Sequence, residues 1–413
     1  MRTNWAGNLT YRAAQLVRPT SLEALQELVA REPRLRVLGS RHSFNDIADT
    51  DGVQVSLDRM PQHLVIDDAA ASATVSGGAL YGDVSRALHR HGWALANLAS
   101  LPHLSIAGAV STGTHGSGDR NLSLAGAVRG LELVGSKGDV RRLTRGDADF
   151  DGSVVALGAL GVVIRVALDI EPSFDVAQTV FTGLPWDSLD QHFDAITSQA
   201  YSASFFTRWV GAHVDQVWLK YRAGEGNAPL SLHGATPATS RMHMLAGGAL
   251  PSVTTQGGQY GPWLDRLPHF RMEFTPSSGA ELQSEYLLPR ANAASAFAEL
   301  RRLGPRIAPL LQVCEIRTVA ADSLWLSGSY ERKVAAIHFT WQPDSPAVLA
   351  LLPTIEDALL PLGARPHWGK CFTVPGHQLA DLYPRFADFQ VLVAKADPGG
   401  TFNNTFLDRV LWG

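Results

Sequence analysis

The chain has 413 residues, of which 45% are hydrophobic and 18% charged, and its formal net charge is -4 at pH 7. This composition excludes a disordered chain, and the slightly acidic balance gives no reason to expect nucleic acid or an anionic membrane as a partner. We find no uninterrupted apolar run long enough for a bilayer and no apolar signal segment after Met1, so we expect a cytoplasmic protein.

The first 172 residues alternate short strand-like runs with a few helices. Thr20 and Glu23 have the spacing of a capping box, and apolar residues follow them at helical spacing, which predicts a helix there. Asp83 is expected to cap a second helix, which stops near Gly92. Strands are predicted at 35–38, 53–57, 64–66, 74–76, 129–134, 140–143 and 161–170. The regular alternation of a doubly wound sheet is missing, so we predict an α+β domain.

The character of the chain changes near residue 172, after which the strands are longer and more aromatic. Helices are predicted at 291–303 and 345–360, and the glycine-rich segments 224–237 and 247–261 are predicted to be loops. We therefore predict two domains, 1–172 and 173–413, with the C-terminal tail packing back near the first. The two cysteines, Cys314 and Cys371, are expected to be free thiols, and we predict no metal site.

Two segments, 39–45 and 97–118, are dense in glycine, serine and threonine. Glycine lets the backbone approach a ligand closely, and successive amides in such loops form nests that bind phosphate. Neither segment has a Walker sequence or the spacing of a Rossmann fingerprint. The residues alone therefore indicate a dinucleotide-like ligand held by loops, with ordinary tight turns as the alternative.

Polar residues also alternate along two predicted strands, 314–318 and 336–341. Glu315 and Arg317 share one face of the first, and His338 and Thr340 share one face of the second, because side chains alternate along a strand. These faces line a polar pocket or, alternatively, point into solvent. Lys370 ends a loop containing proline, tryptophan and glycine, although an isolated lysine usually lies on the surface.

The glycine-rich loops, in their order and spacing, resemble the FAD-binding domain of the vanillyl-alcohol oxidase superfamily. Within it the chain is similar to the alditol oxidases over nearly its whole length, from Thr-Ser-Leu-Glu at 20–23, through Ser-Arg-His-Ser-Phe-Asn at 40–45, to His-Trp-Gly-Lys at 367–370. The resemblance implies a two-domain FAD-binding fold of this type, with a mixed-sheet substrate (cap) domain. It also implies that FAD is joined covalently to His42, through one bond only because the second loop has no cysteine.

By the same resemblance, the FAD contacts come mostly from backbone amides. The residues concerned are Val37, Leu38, Gly39, Ser40, Arg41, His42, Ser43, Ser100, Ser105, Gly108, Thr112, Gly113, Thr114, His115 and Val163.

The implied reaction is oxidation of the terminal hydroxyl of an alditol, such as xylitol or sorbitol, to the aldose. Hydride passes to flavin N5, and O2 is reduced to H2O2. The implied substrate contacts are Ser100, Glu315, Arg317, Thr340 and Lys370, to which we add His338 from its shared face with Thr340. Arg317 and Lys370 would stabilise the developing alkoxide, and Glu315 would anchor a hydroxyl or take its proton.

Three alternatives stay open at this point. A sugar-1,4-lactone oxidase or dehydrogenase of the same superfamily carries His-Trp-Gly-Lys too, so that motif does not discriminate. An FAD-dependent reductase fed by NADPH is more distant. A non-catalytic sugar-binding protein would use the same polar sheet without needing His42.

Overall fold

The computed structural model describes residues 2–274 and 279–413. The strands are β1 Gln15–Val17, β2 Leu35–Val37, β3 Val53–Val55, β4 Leu64–Asp67, β5 Ser72–Ser76, β6 Trp93–Ala94, β7 Val128–Val134, β8 Val140–Thr144, β9 Val162–Asp169, β10 Glu171–Pro172, β11 Asp175–Pro185, β12 Ser202–Thr207, β13 His213–Arg222, β14 Thr236–Pro237, β15 Gly261–Pro262, β16 Leu282–Pro289, β17 Leu311–Val319, β18 Val334–Trp341 and β19 Arg365–Pro366. The α-helices are α1 Leu22–Arg31, α2 Tyr81–Arg90, α3 Ile106–Ser111, α4 Phe150–Val154, α5 Trp186–Ser198, α6 Ala293–Ile307, α7 Ser345–Leu359, α8 Gly376–Leu382, α9 Phe386–Ala396 and α10 Thr405–Leu407.

The N-terminal part is built on two small sheets. A parallel sheet has the order β1-β3-β2, and an antiparallel sheet has the order β4-β5-β9-β7-β8. All seven predicted strands are present, with ends that differ by a few residues. The first glycine loop follows β2, and the second contains α3.

Two predicted helix caps are wrong. Helix α1 is capped by Ser21, whose Oγ accepts the Ala24 amide at 3.2 Å, and not by Thr20. Helix α2 begins at Tyr81, so Asp83 lies inside its first turn and is not the cap. A bridge to Ser105 fixes Leu80 at the start of α2, and this tertiary pairing overrides the local capping preference.

A large antiparallel sheet forms the second part. Its nine strands have the order β14-β11-β13-β12-β17-β18-β16-β19, with β15 also paired to β11. Helices α5, α6 and α7 cover one face, where Ile316, Ile337 and Phe339 are fully buried in their hydrophobic cluster. The intervening residues of the same strands must point to the opposite face. That face carries the polar side chains that the sequence singles out.

Helix α7 and the turn after it form a long apolar segment. Ser345–Leu362 has 18 residues and a mean hydropathy of 1.3, which by length and composition alone would allow a membrane span. This is weak support for a membrane span, because Val348, Leu352 and Ile355 are buried against the nine-stranded sheet. A core helix has the same composition.

The C-terminal helices pack against the N-terminal part. Phe389 of α9 and Phe406 of α10 join the hydrophobic cluster that contains Phe150 and Val166. The exact domain division at residue 172 stays a prediction. Cys314 and Cys371 are both free and buried.

Candidate active site

One cavity of about 670 Å³ lies between the glycine loops and the polar face of the nine-stranded sheet. Its volume falls within the range of about 300–1,000 Å³ that is usual for ligand sites. Of the residues predicted to contact FAD, the cavity is lined by Val37, Leu38, Gly39, Ser40, Arg41, His42, Ser43, Ser100, Ser105, Gly108, Thr112, Thr114, His115 and Val163, but not by Gly113. The predicted substrate residues Ser100, Glu315, Arg317, His338, Thr340 and Lys370 all line the same cavity.

The two glycine loops touch each other at Ser105. The Ser105 amide donates to Ser40 Oγ at 3.2 Å. A Cβ added at Gly39 would lie 2.5 Å from Ser105 Oγ, and one at Gly108 would lie 2.7 Å from the same atom. A side chain at either position would therefore push the Ser105 hydroxyl aside.

The first loop also fits a cofactor that carries phosphate. No hydrogen bond joins the amides of Gly39–Ser43 to an acceptor in the described parts of the chain. Successive amide donors along a cavity form a nest for phosphate oxygens. Arg41 adds a positive charge and has φ 65°, which turns the loop sharply beside His42. These residues could hold the pyrophosphate of FAD.

The imidazole of His42 lines the cavity and is neutral. Its ring lies 4.9 Å from the Trp5 ring, centroid to centroid, and the Trp5 amide donates to the Arg41 carbonyl at 2.9 Å. Burial, together with the nearby charges of His103 and Arg41, lowers the pKa of His42 to about 4. The imidazole is therefore neutral at pH 7, with a ring nitrogen available to form a bond.

A cluster centred on Glu285 lies at the other end of the cavity. Glu285 is 1% exposed, and its carboxylate lies 2.5 Å from Lys370 Nζ, 2.7 Å from Arg317 and 3.1 Å from His115 Nε2. Burial alone would raise the pKa of Glu285, but the adjacent Lys370, Arg317 and His115 hold it well below its usual value. Glu285 is therefore ionised and balances the cations around it.

Sequence reasoning missed Glu285, although strand register explains its place. In the sheet Glu285 is paired with His338, and His338 with Glu315, so all three lie in one row across β16, β18 and β17. The available signal was a single acidic residue within an otherwise largely apolar run, Leu-Gln-Ser-Glu-Tyr-Leu-Leu-Pro. Its neighbours come from strands far apart in the chain, so the sequence alone could not show the cluster.

Lys370 is held so that part of its donor capacity stays open. Its ammonium contacts Glu285 Oε2 and His338 Nδ1, both at 2.5 Å. An ammonium only donates, so His338 accepts at Nδ1 and donates from Nε2 to Thr340 Oγ1 at 3.1 Å. Burial and the Lys370 charge lower the pKa of His338 to about 4, which keeps this ring neutral. The third Lys370 proton has no acceptor among residues 2–274 and 279–413 and is available to a ligand.

Glu315 and Arg317 face the same cavity from β17. Glu315 Oε1 accepts from His269 Nε2 at 2.7 Å and lies 3.7 Å from Arg317 Nε. Burial would raise the pKa of Glu315, yet Arg317 and His269 hold it far below its usual value. Burial favours a lower pKa for Arg317, but Glu315 and Glu285 raise it, so both groups are charged.

Two regions of the chain match known protein families. Residues 13–144 match the model of the FAD binding domain, and residues 280–410 match that of D-arabinono-1,4-lactone oxidase. The first match contains both glycine loops, and the second contains Glu285, Glu315 and Lys370.

Relatives that match over the whole chain define the family more narrowly. The chain is 48% identical to an alditol oxidase from a Streptomyces species, over 100% of this chain and 99% of that protein. It is 29% identical to an L-gulono-1,4-lactone dehydrogenase from Mycobacterium tuberculosis, over 99% and 98% of the two chains. An L-gulonolactone oxidase from Bos taurus is 26% identical over a similar span. Lactone enzymes are therefore more distant relatives than the alditol oxidase.

A solved structure supports the fold. The crystal structure of cholesterol oxidase from B. sterolicum matches with a TM-score of 0.80 at 15% identity, covering 99% of this chain and 96% of that one. At this identity the likeness concerns the architecture only, and it confirms the predicted two-domain α+β flavoprotein fold. The full-length match at 48% identity and the match to the FAD binding domain show that this chain belongs to the alditol oxidases of the vanillyl-alcohol oxidase flavoprotein family.

Proposed function

We propose that this protein oxidises the terminal hydroxyl of alditols such as xylitol and sorbitol, with FAD as cofactor and O2 as final acceptor. The overall reaction converts R–CH2OH and O2 into R–CHO and H2O2. One observation carries the proposal, which is that the FAD loops and all six predicted substrate residues line a single cavity.

The polar end of the cavity suits a chain of hydroxyl groups. Lys370 and Arg317 donate, Glu315 accepts, and the hydroxyls of Thr340 and Ser100 can do both. Each hydroxyl of a polyol also donates and accepts, so donors and acceptors can be matched along the chain. A site built this way rejects analogues that lack the hydroxyls, because its own buried groups would be left unpaired.

The same residues suit the chemistry at the terminal carbon. When bound, FAD supplies the acceptor for the hydride that leaves this carbon. An alcohol is a weak acid, so negative charge that develops on its oxygen must be stabilised. Lys370 has an N–H free for that oxygen, and Arg317 adds a second fixed charge in a site shielded from water. Glu285 holds both cations in place.

The covalent link to His42 is a separate part of the proposal. We expect the wild-type flavin to stay with acid-precipitated protein, whereas His42→Ala should release it into the supernatant. His377→Ala, which changes an exposed histidine of α8, is the matched control and should retain the flavin. Flavin released from the wild type would contradict the link without contradicting FAD binding.

A substrate panel with peroxide detection tests the reaction itself. We expect peroxide with xylitol and sorbitol and much less with an aldonolactone. The reverse order would favour the lactone oxidases, to which the chain is also related at 30% identity or less. Flavin reduction by NADPH would favour a reductase.

Ala99 lines the cavity beside Ser100, and its small side chain leaves room for O2. The cytoplasmic location stays a prediction.

A further inference from the structure

Two buried polar residues, Lys220 and His269, lie near Glu315. Lys220 of β13 is 1% exposed and does not line the cavity, and His269, in the loop before β16, is 5% exposed and does line it. Burying a lysine ammonium is costly unless its donors are all used. The contacts of Lys220 show where its donors go.

Lys220 and His269 form a directed chain of hydrogen bonds that ends at Glu315. Lys220 Nζ donates to the carbonyls of Leu267 and Pro268, and it lies 3.4 Å from His269 Nδ1. Glu315 is ionised and its carboxylate only accepts, so the ring proton lies on Nε2, and Nδ1 is left to accept from Lys220, whose pKa burial lowers to about 7. Nε2 then donates to Glu315 Oε1 at 2.7 Å.

The surroundings keep His269 neutral and fixed in orientation. Burial lowers its pKa, Glu315 opposes that effect, and the Lys220 charge adds to it, with a net lowering. The rings of Phe206 and Trp218 lie edge-on to the imidazole, at centroid distances of 5.6 and 5.2 Å. The imidazole therefore has little freedom to rotate away from Glu315.

This arrangement uses only one oxygen of the Glu315 carboxylate. Oε1 accepts from His269 and lies nearest Arg317. Oε2 accepts no hydrogen bond from any residue in the described parts of the chain, and Glu315 lines the cavity. A carboxylate with one oxygen fixed and the other open is a directional acceptor.

We propose that His269 and Lys220 are positioning residues for the alditol site, which together hold Glu315 so that Oε2 accepts one substrate hydroxyl. The inference rests on the proposed function, since it assigns a role within alditol binding. Neither residue touches the substrate, and both act through Glu315.

The main test compares two substitutions of His269 in the FAD-loaded enzyme. His269→Leu removes the donor to Glu315, so KM for xylitol should rise about tenfold or more, as for a lost hydrogen bond to a charged group. We expect kcat to change much less, because this contact is made before and during the reaction alike. His269→Gln keeps an N–H donor of similar reach and should restore most of the affinity.

A distant substitution separates positioning from loss of stability. Thr197→Val removes a buried hydroxyl of α5 that donates to Asp119 at 3.1 Å, and among the described residues this hydroxyl shares no hydrogen-bond partner with Glu315, His269 or Lys220. It should lower the melting temperature while leaving KM within about twofold, as expected for sites without shared partners. Lys220→Met should raise KM less than His269→Leu does, because it leaves the Nε2 donor in place.

A substrate analogue provides the second readout. Each deoxy analogue of xylitol lacks one hydroxyl, and one of them lacks the hydroxyl that Glu315 binds. For that analogue, the wild type and His269→Leu should have the same affinity. The proposal is overturned if His269→Leu leaves KM for xylitol unchanged, if His269→Gln is as impaired as His269→Leu, or if every deoxy analogue is weakened equally. Should His269→Leu not fold, the comparison of His269→Gln with Lys220→Met decides in the same way: an impaired Gln variant overturns the proposal.

Failure of the underlying function would look different. In that case the wild type itself would oxidise no alditol, whereas failure of the positioning role leaves an active wild type and variants with unchanged KM.

Discussion

The two ends of the cavity differ in what lines them: mainly backbone at the cofactor end, and charged side chains at the substrate end. Around Gly39 and Gly108 the lining is backbone and small side chains, packed so closely that a Cβ would collide with Ser105. Around Glu285 the lining is charged side chains on a rigid sheet, with Lys370 and Arg317 within 2.7 Å of one carboxylate. Binding at the cofactor end therefore depends on the path of the backbone, and binding at the substrate end depends on which side chains are present.

This difference predicts how each end tolerates substitution. A backbone donor survives the loss of its side chain, whereas a buried cation or carboxylate leaves its partner unpaired when removed. Substitutions at the substrate end should therefore reduce turnover and leave FAD bound. FAD binding should be weakened only by substitutions that add a side chain where the backbone of the glycine loops is closely packed.

The largest effect is expected for Lys370→Met. It removes a cation whose third N–H is open to the reacting oxygen, so kcat/KM for xylitol should fall about 100-fold or more, as when an oxyanion donor is lost. The flavin spectrum should stay unchanged, since Lys370 belongs to the substrate end. Steady-state kinetics beside the absorbance spectrum measures both, and Lys395→Met, on the surface beside Asp149, is the control. A fully active Lys370→Met would remove this residue from the mechanism.

Glu285→Gln should show the effect of an unbalanced charge. Lys370 and Arg317 would keep their charges without their buried partner, which costs about 3–5 kcal/mol of unfolding free energy by comparison with other broken buried pairs. Chemical denaturation measures this loss. Glu273→Gln, which changes an exposed pair with Arg86, should cost far less.

The pH dependence sharpens the same prediction. The pKa of Glu285 is lower in the folded chain than its ordinary value of 4.5. Its stabilisation is therefore fully present above that value and is lost as pH falls towards the folded pKa. Below pH 4.5 the wild type should lose stability faster than Glu285→Gln does, and parallel curves would contradict the assigned ionisation.

The smallest effects are expected at the first loop. Ser40→Ala removes the hydrogen bond from the Ser105 amide, which is worth about 1 kcal/mol, and should leave the flavin-to-protein ratio almost unchanged. Gly39→Val, in the adjacent position, should lower that ratio strongly, because its side chain would collide with Ser105. If Ser40→Ala loses as much flavin as Gly39→Val, the backbone account of this end is wrong.

The same contrast explains what could be predicted from the sequence. The cofactor end is local in the chain, so the glycine loops, His42 and all but Gly113 of the predicted contacts were identified as cavity residues. The substrate end is assembled across strands, and alternation alone correctly grouped Glu315 with Arg317 and His338 with Thr340. Glu285 and His269 were missed, since only strand register and a distant loop bring them to Glu315. The wrong cap at Asp83 shows the same limit at smaller scale, because the bridge between Leu80 and Ser105 sets the start of α2.

The most direct measurement is to add xylitol to the purified protein without oxygen and follow the visible absorbance of the flavin. We expect this absorbance to bleach, and air to restore it with release of peroxide. A flavin spectrum that no alditol bleaches, while an aldonolactone or NADPH does, would contradict the central claim that FAD and an alditol share this cavity.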